Sequence, residues 1–297
     1  MKKDAFAGFH PVVNFTYFAF VLGFAMFFMH PVCLGISLIC ALVYAVYLTG
    51  EKAVRLSARL MLPMLIFTAL LNPLFNHRGV TILAYLPNGN PVTLESILYG
   101  IAAAVMLITV IAWFACFNTV MTSDKFIYLF GRVIPALSLI LSMALRFVPL
   151  FRAQIRTISN AQKCIGRDAG TGNIFRKLRQ GTRILSILVT WALENAIQTA
   201  DSMKARGWGL PGRTAFSIFQ FKRRDAYALG YIFTCAGVVI AGAQAGAYHF
   251  RYFPSVRGQW GGLPAIAVFA AYLALCALPI ILNLKEDLVW KRIESKA

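Results

Sequence analysis

The run Ala200-Asp201-Ser202-Met203-Lys204-Ala205-Arg206-Gly207 combines residue types suited to gripping a partner rather than breaking a bond. Ala205 lets another surface approach closely, and Arg206 presents a planar cation that can fork onto a carboxylate or backbone carbonyls. Gly207 supplies a helix stop. The reagents of catalysis are scarce by comparison. The 11 acidic residues are scattered, with Glu286-Asp287 the one adjacent pair, so nothing resembles the carboxylate cluster that would hold a divalent cation. His10, His30, His77 and His249 lie far apart, and none of the six cysteines forms a CxxC pair. Five of them, Cys33, Cys40, Cys116, Cys235 and Cys276, read as small apolar residues within apolar spans, whereas Cys164 falls in a basic stretch. No catalytic residue, cofactor or bound metal is expected. The glycine-rich segment from Gly166 to Asn173 reads as a joint between two helices, because it lacks the Gly-Lys-Ser/Thr ending of a phosphate loop and no buried strand precedes it.

The elements that position the Arg206 end belong to a membrane protein. The chain has 297 residues, of which 59% are hydrophobic and 13% charged, with a mean hydropathy of +0.68. Its net charge of +18 does not point to nucleic acid, since the basic residues lie between apolar spans instead of lining a polar groove with exposed aromatics. Apolar runs about 20 residues long mark membrane spans. They fall near Val12 to Met29, Pro31 to Leu48, Leu60 to Phe75, Ser96 to Val120, Ala226 to Tyr248 and Leu263 to Leu284. Six spans place both termini on one side. Of the 29 Lys and Arg residues, 26 fall on that side and only Arg78, Arg251 and Arg257 on the other, so both termini are expected in the cytoplasm. The first apolar run lacks a small-residue cleavage site and is expected to be retained.

The predicted class is therefore an all-α integral membrane protein with about six transmembrane helices and a large helical cytoplasmic region between the fourth and fifth. Residues 1–120 form a four-span membrane region, residues 121–225 the cytoplasmic or interfacial helices, and residues 226–297 two further spans and a basic tail. Two more apolar runs, Val133 to Phe151 and Ile184 to Ala200, lie within the basic region. Each carries a charge, Arg146 or Glu194, that is costly in lipid unless paired, so both read as cytoplasmic or interfacial helices, with an eight-span arrangement as the alternative. Ile184, Leu188, Trp191 and Asn195 recur at helical spacing, as do Leu185, Ala192 and Ala196. This broad apolar face packs either on the chain's own spans or on a second membrane protein.

An ion-coupled carrier would place acids within its spans or break paired spans at a midplane site, and neither pattern is present. With the Arg206 end, other segments resemble one family. Ala205-Arg206-Gly207, preceded by Ala200-Asp201 and Met203, is similar to the second coupling motif of the transmembrane T component of energy-coupling factor (ECF) transporters. Leu145-Arg146-Phe147-Val148-Pro149-Leu150 resembles the Leu-Arg-Phe-Ile-Pro segment upstream in that family. His10-Pro11-Val12-Val13-Asn14 is similar to its amino-terminal Pro-x-x-Lys pattern, with Asn14 in place of lysine. The resemblance runs from residue 10 to about residue 215.

It implies a division of labour. Two ABC ATPase subunits bind and hydrolyse ATP, a small membrane S component captures a vitamin or a metal ion such as cobalt, and this chain joins them in the plasma membrane of a prokaryote. The coupling residues implied are Asp201, Lys204, Ala205, Arg206 and Gly207, with Ala161, Gln162, Lys163, Gly166 and Arg167 at the first motif. That first motif departs from the family pattern, because Ile165 stands where arginine is expected. Either Lys163 or Arg167 supplies the cation from a neighbouring position, or the end docks by shape. Removing one partner of a buried, hydrogen-bonded arginine pair costs about 3–5 kcal/mol. A cation that only caps a helix contributes roughly 0.3–1 kcal/mol. Two other readings remain open, a conventional ABC permease lining the substrate path and a membrane-embedded enzyme.

Overall fold

A computed structural model describes residues 4–76, 78–85, 91–131, 135–166, 173–210, 219–246, 250–258 and 262–295; of 51–60 and 135–138 only the backbone is described. The architecture is helical. In chain order the helices are α1 (Pro11–Phe27), α2 (Pro31–Thr49), α3 (Glu51–Phe75), α4 (Leu94–Val120), α5 (Ser123–Gly131), α6 (Pro135–Cys164), α7 (Ile174–Ala205), α8 (Arg223–Gln244) and α9 (Leu263–Glu294). The described residues also form two short antiparallel ribbons: β1 (Ile82–Tyr85) with β2 (Pro91–Thr93), and β3 (Phe250–Arg251) with β4 (Arg257–Gly258). Strands of two to four residues show no alternation a sequence reading could detect, and none was expected.

Two histidines explain how α1 and α2 start. In each of His10-Pro11 and His30-Pro31 the imidazole Nδ1 accepts the backbone N–H two residues on, at 3.3 Å from Val12 and 3.2 Å from Val32. The proline then takes the first helical position, where its missing N–H costs nothing. These histidines are helix caps. Thr93 caps α4 through Ser96 N–H, and the Glu95 carboxylate accepts the hydroxyl of Thr81 at 2.8 Å, tying α4 to the chain entering β1.

The chain divides into two compact units, Met1–Phe126 with Phe219–Ala297, and Ile127–Ile218. In the first, α1, α2, α4, α8 and α9 pack around the buried Tyr17, Phe18, Tyr44, Trp113, Ile232 and Tyr272. Polar tips in this core find partners, as burial without water requires. Trp113 Nε1 donates to Ser37 Oγ at 2.9 Å, and Tyr17 donates to the Cys276 carbonyl at 3.2 Å. Among the described residues, α2, α4, α8 and α9 are long and apolar enough to cross a membrane, while α1 and the Met61–Phe75 part of α3 are apolar but shorter. Neither α6 nor α7, which carry the two ambiguous apolar runs, reaches that standard.

Helices α3 and α4 approach closely at Gly100, where a Cβ would sit 2.9 Å from the Ala69 carbonyl oxygen and 3.0 Å from Asn72 Cβ. Small residues at such points let membrane helices pack backbone to backbone. Gly100→Leu is expected to destabilise the protein by about 1–3 kcal/mol through overpacking. The measurement is the thermal midpoint of the purified protein in detergent, and an unchanged midpoint would mean that this contact does not hold α3 on α4.

Candidate docking site at two helix ends

The second unit consists mainly of α6 and α7, 30 and 32 residues long. They meet where the Phe151 ring packs edge-on against Trp191, with centroids 5.9 Å apart and planes at 73°. Phe147 stacks on Phe151 at 5.7 Å, and the Arg146 guanidinium lies over the Phe147 ring at 5.6 Å. Arg146, a charge that lipid would penalise, is thus held by an aromatic face. At 1.5 Å per residue, Ile165 and Arg206 each lie about 20 Å along their helices from this contact. Each helix carries its motif on an arm of similar length.

No described residue of α7 is buried. Ile184, Leu188, Trp191 and Asn195 are half-buried, whereas Leu178, Leu185, Val189, Leu193 and Ile197 stay exposed. The helix therefore offers apolar surface beyond what α6 covers. Basic residues Arg176, Lys177, Arg179 and Arg183 occupy the exposed first half of α7.

The end of α7 closes in a defined way. Gly207 has φ +75°, a left-handed conformation suited to glycine. Its N–H donates to the Lys204 carbonyl at 2.9 Å, and the Trp208 N–H donates to the Met203 carbonyl at 3.0 Å. These two bonds make a Schellman closure, which satisfies the last carbonyls and stops the helix at Arg206. Ala205, Arg206 and Trp208 are all exposed. Asp201 and Lys204 face each other at 4.0 Å with side chains 70% and 78% exposed, so their pairing contributes little to stability. Among the described residues no acid lies in ion-pair range of Arg206.

The end of α6 repeats part of this closure. Gly166 has φ +76°, and its N–H donates to the Lys163 carbonyl at 2.9 Å. Superposing glycine on glycine pairs Lys163 with Lys204, Cys164 with Ala205 and Ile165 with Arg206. Ile165 thus occupies the arginine position and is 64% exposed. Lys163 and Ala161 are exposed and Gln162 is half-buried, while Arg167 lies outside the described residues. The equivalence matches Lys163 with Lys204, so Lys163 is a neighbour of the arginine position. Sequence reasoning passed over Trp208, an exposed aromatic beside Arg206; an indole directly after a helix-stopping glycine was the available signal.

An apolar helical bundle, together with two long helices whose exposed ends close on left-handed glycines, defines an all-α integral membrane protein. The chain belongs to the CbiQ family of cobalt transport proteins, whose family model matches residues 9–216. It is 37% identical over 105 residues to the energy-coupling factor transporter transmembrane protein EcfT of Lacticaseibacillus paracasei, covering 35% of this chain and 40% of that one. The protein of that name from Lactobacillus helveticus is 30% identical over 113 residues, covering 38% and 41%, and EcfT 1 of Listeria monocytogenes is 36% identical over 106 residues, covering 35% and 40%. The matched stretch spans about two-fifths of the length of these relatives.

Proposed function

We propose that this chain is the T component of an ECF-type importer, a noncatalytic subunit that transmits the motion of two ATPases to a substrate-binding S component. The substrate class that goes with this role is a vitamin or a metal ion. ATP hydrolysis belongs to the partner subunits, and the chain sits in the plasma membrane of a prokaryote with both termini in the cytoplasm. The observation that carries this reading is the shared closure of α6 and α7, with Gly166 and Gly207 in one conformation and bonded alike to Lys163 and Lys204. Two such ends suit two related sockets. Closure of an ATPase pair around ATP would draw the arms together, and the Phe151–Trp191 contact would serve as their pivot.

The uneven chemistry of the ends suits non-identical sockets. Arg206 can fork onto a carboxylate or carbonyls, while Ile165 can only fill an apolar recess. Family membership and the named relatives support the transporter reading; a conventional permease lining the substrate path differs from it in one measurable respect. Uptake is measured in cells expressing this chain and the ATPase pair, with and without an S component. The proposal expects uptake only with the S component present. Equal uptake in its absence would establish the permease instead.

A further inference from the structure

The segment Asp4–His10, ahead of α1, is bonded to four other parts of the first unit. The Asp4 carboxylate accepts the Tyr44 hydroxyl of α2 at 2.9 Å and the Asn283 side-chain amide of α9 at 2.6 Å, and Asn283 Oδ1 accepts the Ala5 N–H at 2.7 Å. Lys125, at the start of α5, is 6% exposed. Its ammonium donates to the carbonyls of Ala7 at 2.6 Å and Val120 at 3.0 Å. With the Asn14 amide turned so that its oxygen faces the ammonium, Oδ1 accepts a third bond at 2.9 Å and the amide nitrogen donates to the Phe6 carbonyl at 3.0 Å. All three donors of this lysine are then used. At the start of α8, Arg224 donates to the Gly8 carbonyl at 2.6 Å and lies 5.0 Å over the Phe9 ring. Asp225, 1% exposed, accepts the N–H groups of His10 at 3.2 Å and Lys222 at 2.8 Å.

Lys125 and the Arg224–Asp225 pair lie beside the two points where the chain leaves and re-enters the first unit. The first unit ends at Phe126, next to Lys125, and resumes at Phe219, just before Lys222 to Asp225. Both junctions with the unit that carries the coupling ends are therefore bonded to the same seven residues. A buried ammonium held only by carbonyl and amide oxygens costs desolvation that an apolar side chain would avoid, so its return is position rather than adhesion. Burial lowers the Lys125 pKa, and the Asp4 carboxylate opposes that shift.

We propose that Asp4–His10 is a clasp holding both junctions of the chain, with Lys125, Arg224 and Asp225 as its positioning residues, so that movement of α6 and α7 reaches the membrane bundle instead of being absorbed where the chain crosses. This rests on the coupling role proposed above, yet its test needs no partner subunit. Spin labels are placed on the native Cys164 and on a Thr49→Cys substitution, in the full chain in lipid nanodiscs with Cys235→Ser; the remaining cysteines are buried. Pulsed dipolar spectroscopy then reads the distance distribution between the units. Lys125→Met and Arg224→Gln are each expected to broaden it, roughly twofold when combined. A pair inside the first unit, Thr49→Cys with Glu294→Cys in a Cys164→Ser, Cys235→Ser background, is expected to keep its width, which separates loss of the clasp from loss of fold. Unchanged width between the units would overturn the proposal. Should Lys125→Met fail to fold, Arg224→Gln decides alone, because Arg224 is 54% exposed and the buried Asp225 carboxylate 3.8 Å from it keeps its bonds from the His10 and Lys222 N–H groups.

Discussion

Under the proposed coupling role, reversing the charge at Arg206 is expected to abolish uptake and release the ATPase that this helix end would engage. Arg206→Glu places an acid where the geometry offers an exposed cation, without an ion-pair partner among the described residues, at the tip of a closed helix. Loss of one partner from a buried, hydrogen-bonded arginine pair costs about 3–5 kcal/mol, or roughly 150- to 5,000-fold in affinity. If Arg206 served only to cap α7, the loss would be roughly 0.3–1 kcal/mol and association would weaken no more than about fivefold. The two outcomes are far enough apart to be separated by co-purification of the ATPases, measured beside ATP hydrolysis and substrate uptake. Arg206→Lys refines the result, since lysine keeps the charge but loses the fork. Normal assembly together with unchanged uptake in Arg206→Glu would remove the coupling assignment.

The second large effect is expected at Gly207, through the backbone instead of through charge. With φ at +75°, a β-branched residue there is strained, and an added Cβ would lie 3.1 Å from Leu210 Cδ1. Strain of about 1–3 kcal/mol is enough to open the closure held by the Lys204 and Met203 carbonyls. Arg206 would then lose its fixed direction. Gly207→Val is expected to weaken the ATPase complex roughly 5- to 150-fold. Gly207→Asn should recover much of the loss, because asparagine tolerates the left-handed region. Circular dichroism checks that both variants remain helical, and equal complex formation by Val and Asn would show that the closure does not direct Arg206.

The two ends were legible in the sequence to different degrees. Arg206 and Gly207 stand in a local pattern of charge and helix stop, and such patterns depend on neighbours within one turn. Gly166, 41 positions upstream, and Ile165 in the arginine position were legible by comparison with the second motif, whereas the left-handed φ of Gly166 and its bond to Lys163 were not. Trp208 was missed because an aromatic residue after a glycine acquires meaning once its N–H is seen to close the helix.

Sequence by itself determined the membrane class, the all-helical architecture and the extent of the family match, because run length, composition and spacing are properties of contiguous residues. The stop at Gly207 is of the same local kind, whereas the caps at His10 and His30 were seen only in the hydrogen bonds of the structure. Only the tertiary structure decided which residues meet across long separations. Asp4 bonds Asn283 across 279 positions, and His10 bonds Asp225 across 215. No periodicity records such a pairing. Its cause is the requirement that polar groups at the end of an apolar bundle find partners where water is excluded, which depends on how the helices pack and not on the order in which they are written.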